Sequence, residues 1–403
     1  MKILRQFLPP LIATLALSPA LSAQPKLDEQ LRAAIARGDV PGVVVMAADR
    51  NGVIYRGAFG LAEAGAGRAM TADAIFSIAS MTKAVTSVAA MQLIEAGKLS
   101  LDDPAEKYLP ELAHPMVFAS FDAATGDYTL RPAASAITVR QLFTHTSGLG
   151  YGFTSAVLNQ FKPRAGETYT AGPLLFDPGT QWTYGTNTDM LGKIVEKISG
   201  ENLEAYFRAH ILAPLGMLDT AYNLPPEKHA RLVNVHRRNA TGALIEQPRT
   251  APKDATRFNG GGGLYSTATD YLRFLQMLLN GGELGGTRIL SRANVALMGE
   301  NHIGAVNARA LKSAQPEGSS DFTFIDDDRD KWGLGFLITA RQVAGKRSAG
   351  SLSWGGINNT YFWIDPSRGV AGVILMQFRP FADVKALAVY DTFERGVYQL
   401  IEK

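Results

Sequence analysis

The segment FSIASMTKAVTSV, residues 76–88, holds the pair of side chains best placed to do chemistry. Ser80 stands three residues before Lys83, where an apolar helical pattern begins. Met81, Val85, Val88, Met91 and Ile94 recur at helical spacing, and Gly97 supplies a stop. The spacing predicts Ser80 at or near a helix amino terminus, with the Lys83 amine on the same face. Free backbone N–H groups and the helix dipole favour negative charge there, which suits an alkoxide or a tetrahedral oxyanion. A lysine acting as base near neutral pH needs its pKa lowered from about 10.4 to roughly 7–8. That costs on the order of 4 kcal/mol, which only a buried site supplies. An ordinary helix start, with Ser80 as N-cap and Lys83 on the surface, fits the same residues. The local sequence leaves both readings open.

Other constellations were weighed against this pair. No G-x-S-x-G surrounds any serine, which argues against a nucleophile elbow. His145, in LFTHTSGL, is the best histidine for a Ser/His/Asp triad, but its neighbours Thr146, Ser147 and Gly148 favour a loop-organising role. Tyr184, in FDPGTQWTYGTNTDMLGKIVEKISG, follows a Pro-Gly turn and precedes a helix that begins near Asp189. Its phenol can share a proton with Lys83 or pass one to a leaving group; a half-buried structural tyrosine is the alternative. A third segment, GSLSWGGINNTYFWIDP, opens at Trp354-Gly355-Gly356 onto a strand. The two glycines would let a substrate lie against the strand backbone, whose N–H groups can complete an oxyanion hole with that of Ser80. A bulged strand with a core tryptophan reads equally well.

Around these residues the chain divides into recognisable elements. LDEQLRAAIARG reads as a helix ending at Gly38, followed by two β-rich runs on either side of Asn51-Gly52, a hairpin signal. NTYFWIDPSRGVAGVILMQF is a second hairpin, and Val384, Leu387, Phe393, Val397 and Leu400 mark a final helix. Strands at both ends predict one antiparallel sheet built from the two termini and flanked by helices, with a mainly helical insertion between. The expected boundaries are residues 24–81 and 256–403 for the α/β (α+β) domain and 82–255 for the insertion, with the site in the cleft between them. SFDAATGDYTLRP is a small hairpin within the insertion, and the four glycines of NGGGGLYSTATDYLRFLQMLLNGG mark backbone passing close to something.

Composition limits the function. With 46% hydrophobic and 19% charged residues the chain is globular, not disordered. Residues 1–23 carry Lys2 and Arg5, a short apolar run and small residues up to Ala23, the pattern of a cleavable signal peptide and hence of a periplasmic or secreted protein without stable membrane insertion. Removing them takes two positive charges from a formal +3, leaving a nearly neutral protein with no electrostatic reason to bind nucleic acid. There is no Cys, so packing alone stabilises an exported form, and the six scattered His offer no zinc motif.

Taken in order, these motifs resemble the serine β-lactamase and penicillin-recognising superfamily. FSIASMTKAVTSVAAMQLIEAGKLSLDDP, ITVRQLFTHTSGL, WTYGTNTDMLGKIVEKISG, GGGGLYSTATDYLRFLQMLLNGG and SWGGINNTYFWIDP are similar to family VIII carboxylesterases, which share the class C β-lactamase fold. The resemblance implies a β-lactamase/transpeptidase-like fold, Ser80 as nucleophile, Lys83 as base and Tyr184 as proton-relay partner. It further implies the backbone N–H groups of Ser80 and Ile357 as the oxyanion hole, and no metal or organic cofactor. Trp354 stands where β-lactamases usually place a cationic or polar residue, so a neutral ester is favoured over a carboxylate-bearing β-lactam. Thr186 takes the position of the usual Asn in Tyr-x-Asn, with Asn187 one later. Trp354, Gly355, Gly356, Thr186 and Asn187 are the expected substrate contacts, with Tyr151 and Phe153 in the cleft wall. The expected partner is a small-molecule ester, cleaved through an acyl-enzyme. A β-lactamase, D-amino-acid peptidase, amidase or acyltransferase on the same fold is the alternative, and a non-catalytic binder of peptidoglycan-type ligands is a second.

Overall fold

A computed structural model describes residues 25–402, apart from 170, 251 and 253; the segment 1–23, expected from its sequence to be a signal peptide, lies outside the described residues. Its central feature is an eight-stranded sheet drawn from both ends of the chain. The strands are β1 (Gly42–Asp49), β2 (Val53–Glu63), β3 (Arg68–Ala69), β4 (Lys331–Trp332), β5 (Leu337–Ile338), β6 (Leu352–Gly356), β7 (Thr360–Asp365) and β8 (Val370–Leu375), in the order β4-β5-β6-β7-β8-β1-β2-β3. Antiparallel pairing of β1 with β8, from Val44 opposite Leu375 to Asp49 opposite Val370, closes the two termini into one sheet. At the β1–β2 turn the Asp49 carboxylate accepts the Asn51 and Gly52 N–H groups at 2.7 and 2.9 Å, the local bonding that an Asn-Gly hairpin invites.

Helices cover both faces. They include α1 (Pro25–Ala36), α2 (Thr82–Glu95), α3 (Val139–Thr144), α4 (Asn187–Ser199), α5 (Ala268–Leu279) and α6 (Val384–Ile401). Successive strand residues point to opposite faces, and β7 shows which helix each face meets. Phe362 packs on Tyr271 of α5, whereas Tyr361 and Trp363 pack on Tyr390 and Phe393 of α6. Strands β7 and β8 are therefore buried along their whole length, which is why they read as nearly continuous apolar runs. Between the terminal segments lie α2, α3 and α4, with the small hairpin Met116–Phe121 and Tyr128–Pro132 where SFDAATGDYTLRP predicts one. Among the described residues no helix is long and apolar enough to cross a membrane.

Helix α2 departs from its expected amphipathic stripe. Eleven of its residues are buried, including Thr82, Lys83, Thr86 and Ser87, because it is enclosed on every side. Two of its threonines bond outside the helix: Thr86 Oγ1 donates to the Gly260 carbonyl at 2.7 Å, and Thr82 Oγ1 accepts the Leu264 N–H at 3.2 Å. The buried Ser87 hydroxyl of the same helix has no hydrogen-bond partner among the described residues.

A buried ion pair ties α6 to the loop that leads into β6. The Arg347 guanidinium donates to both oxygens of Glu394 at 2.7 and 3.0 Å, and the Arg347 backbone N–H adds a third bond at 3.1 Å. Burial alone would raise the Glu394 pKa, but Arg347 overrides it and holds the carboxyl down to about 2. A carboxyl depressed in the folded state contributes stability at pH values above its ordinary pKa, and that contribution is lost as pH falls through the folded value. Glu394→Gln should cost ~3–5 kcal/mol at neutral pH by leaving a buried arginine unpaired. Urea unfolding across pH 2 to 7 checks this: the wild-type protein should lose stability below about 4.5 more steeply than the variant.

Candidate active site

The head of α2 is shaped by close backbone contact. Ala79 has φ +45°, a left-handed conformation uncommon for a residue with a side chain, and it leads into the single 3₁₀ turn Ala79–Met81. Ser80 lies on that turn, half-buried, and makes no side-chain capping bond, so the N-cap reading falls away. Strand β6 runs directly against this turn. A Cβ at Gly356 would collide with the Ile78 carbonyl, and one at Gly355 would lie 2.7 Å from the Tyr361 ring. Gly356 thus serves the packing of strand against helix start, and Gly355 the packing of β6 on Tyr361 of β7.

Lys83 is 2% exposed and connects three distant segments. Its Nζ lies 3.3 Å from Ser80 Oγ, 3.2 Å from the Tyr151 hydroxyl and 2.6 Å from the Gly261 carbonyl. The Tyr151 hydroxyl donates to Asp189 Oδ2 at 3.2 Å, and Asp189 Oδ1 accepts the Gly261 N–H at 2.9 Å. The four groups close a ring of hydrogen bonds around the amine. Among the described residues no carboxylate lies within ion-pair distance of Lys83. Burial first, then the charge of Asp189, pushes the Tyr151 phenol well above its ordinary pKa, so it stays protonated and keeps its donor role. The glycine run is required here: a Cβ at Gly261 would sit 2.6 Å from the Asp189 carboxylate.

Tyr184 is present at the site in a different posture from a direct partner of the amine. It is buried, Lys83 Nζ sits 4.7 Å from its ring centroid, and its hydroxyl accepts the Trp354 Nε1–H at 3.3 Å. The hydroxyl bonded to Lys83 is that of Tyr151. Trp354 packs on Tyr184 at 4.9 Å between centroids and is itself 4% exposed. Phe153 stacks on Tyr151 at 5.2 Å, while Phe322 and Phe324 lie 6.4 and 6.0 Å from Trp354. Tyr151 and Phe153 are half-buried near the amine, with Trp354 and Phe322 buried behind them.

Thr186 and Asn187 divide. The Thr186 hydroxyl is buried without a partner beside Tyr184. Asn187 is fully buried, accepts from the Ser147 hydroxyl, and donates to the Leu149 carbonyl at 3.0 Å and to His145 Nδ1 at 3.1 Å. Its amide is consumed by the scaffold, which corrects its expected contact with substrate. His145 has the loop-organising role its neighbours indicated: Nδ1 also accepts the Gly185 N–H at 3.4 Å, and the ring packs on Tyr184 at 5.0 Å. Burial, reinforced by Lys83, lowers its pKa well below the ordinary value and keeps it neutral. Ile357 follows Gly356 on the turn into β7, half-buried.

Two participants escape the motif pattern: Asp189 and the Gly261 carbonyl. Asp189 was visible only as the start of a helix, and the glycine run only as a place of close approach.

Comparison with known proteins gives the family. A family model described as Beta-lactamase matches residues 27–393. Monacolin J acid methylbutanoyltransferase of Aspergillus terreus is 31% identical over 396 residues, covering 92% of this chain and 95% of that protein. Lovastatin esterase of Penicillium rubens is 31% identical over 398 residues, covering 93% of this chain and 98% of that protein. Among solved structures, a simvastatin synthase from Aspergillus terreus superposes with a TM-score of 0.80 at 29% identity, covering 93% of this chain and 94% of that one. A family match over nearly the whole chain, together with the fold, makes this protein a member of the Beta-lactamase family.

Proposed function

We propose that this protein is a serine acyl-transfer enzyme that takes an acyl group from an ester onto Ser80 and passes it to an alcohol, or to water when no acceptor is bound. The observation that carries the proposal is the Ser80 hydroxyl 3.3 Å from a buried amine that has no carboxylate partner among the described residues. Ser80 Oγ attacks the acyl carbonyl while Lys83 Nζ takes its proton. The backbone N–H groups of Ser80 and Ile357 hold the resulting oxyanion. Collapse of the adduct breaks the bond to the leaving oxygen, which receives the proton from Lys83, leaving the acyl group esterified to Ser80. In the second half the acceptor hydroxyl gives its proton to Lys83 and attacks the acyl-enzyme; the bond to Ser80 Oγ breaks, Lys83 returns the proton to that oxygen, and the new ester leaves. Tyr151 holds the amine in place, and Tyr184, bonded to Trp354, stands beside it as the second phenol.

Two observations favour transfer over simple carboxylester hydrolysis. The half-buried rings of Tyr151 and Phe153, stacked on each other and backed by the buried Phe322 and Trp354, offer an organic acceptor an apolar seat and give water few partners. The relatives named for methylbutanoyl transfer match along almost the full chain. Neutral donors are favoured, because Trp354 brings no charge to pair with a carboxylate.

Ser80→Ala should lower release of p-nitrophenol from p-nitrophenyl butyrate by a factor on the order of 10⁴ or more, to the uncatalysed rate. With a primary alcohol present, the wild-type protein should form the alkyl butyrate along with butyric acid. Chromatography of the products checks the partition. Turnover retained in Ser80→Ala contradicts the nucleophile, and butyric acid as the sole product contradicts the transfer reading.

A further inference from the structure

The turn that carries Ile357 is held from behind by residues outside the three motifs. Asn358 is 3% exposed, and its amide faces two ways: Nδ2 donates to the Ser77 carbonyl at 3.2 Å, and Oδ1 accepts from Arg379 Nε at 3.2 Å. The Phe378 N–H also bonds the Asn358 carbonyl at 3.2 Å. Next to it, Asn359 Nδ2 donates to the carbonyls of Phe378 and Pro380 at 2.9 and 2.7 Å. The short segment Phe378–Arg379 thereby grips both asparagines of the turn.

Arg379 is an unusual member of this layer. It is partly buried, and Asn358 is its one side-chain hydrogen-bond partner among the described residues; no carboxylate there lies within ion-pair distance. The residue paired with it across the neighbouring strand is another cation, Arg237, whose own charge is met by Glu317 at 3.0 Å. Burial and then Arg237 lower the pKa of Arg379 from its ordinary value, the signature of a cation without a counter-charge. The Asn358 amide dipole is aligned with that cation. Its oxygen faces the guanidinium and its N–H end faces the Ser77 carbonyl, three residues before the nucleophile.

We propose that Arg379 is a positioning residue that acts through Asn358, fixing the Ile357 turn against the Ser77–Ser80 segment and placing an uncompensated positive charge behind the oxyanion hole. This rests on the acyl-enzyme reading of Ser80. The charge strengthens binding of the tetrahedral oxyanion and leaves binding of a neutral ester unchanged, so its contribution falls on kcat and not on KM.

Arg379→Gln keeps a side-chain N–H for Asn358 and removes the charge; Arg379→Lys keeps the charge. Rates on p-nitrophenyl butyrate are expressed per active site titrated with a fluorophosphonate, so that loss of folded protein does not register. The glutamine variant should lose about ten-fold in kcat, ~1.4 kcal/mol, at unchanged KM and unchanged thermal midpoint. The lysine variant should return to within about two-fold of wild type. A glutamine variant with wild-type kcat overturns the proposal, as do equal losses in both variants with a matching fall in thermal midpoint. Ser80→Ala, which the fluorophosphonate cannot titrate and whose rate is therefore expressed per mole of folded protein, separates the layers: if it is inactive while Arg379→Gln runs at full rate, only the role of Arg379 fails. If Ser80→Ala still turns over, the acyl-enzyme reading fails and the role of Arg379 falls with it.

Discussion

The Lys83 amine is the constraint around which the other parts of the site are arranged. Buried side-chain nitrogen must find partners, and here they come from the turn that leads into α2, from the Tyr151 loop and from the glycine run at 260–263. Satisfying the amine therefore fixes the separation of three segments far apart in sequence. The bond to the Gly261 carbonyl, 2.6 Å long, draws that backbone so near Asp189 that a β-carbon has no room. Asp189 in turn anchors Tyr151 and the start of α4. A lysine on the surface would impose none of this.

Strand β6 supplies the opposing wall under a related constraint. Gly356 lets the strand meet the Ile78 carbonyl, which brings the Ile357 turn level with Ser80. Trp354 then reaches Tyr184 with its Nε1–H. The positive charge on that side of the serine sits behind the turn, on Arg379, reaching Asn358 instead of the cleft. On the proposed function, such a site suits neutral substrates whose developing charge appears only at the reacting oxygen.

Much of this was legible in the sequence because it is local or periodic. The Asn51-Gly52 turn, the strands at the two ends and the pairing of Ser80 with Lys83 follow from spacing and turn chemistry. Strands β4 and β5, two residues each, carry no periodic signal and exist only because β6 offers an edge. The stripe read along α2 was too narrow, since a helix enclosed on all sides buries its Thr and Ser as well. Asn187 shows the limit of motif counting: a position one residue along a helix start turns the amide from the cleft into the scaffold of His145, Ser147 and Leu149. The Tyr151–Asp189 contact spans 38 positions and depends on tertiary packing, so no local pattern announces it.

The central claim is that an acyl group resides on Ser80 during turnover. Acid quenching of the full-length protein during steady-state turnover of an activated ester, followed by peptide mass mapping, tests it most directly. One acyl group should appear on the peptide that contains Ser80, and its occupancy should fall when an alcohol acceptor is added. An unmodified Ser80 peptide, or an acyl group on another residue while turnover proceeds, would contradict the claim.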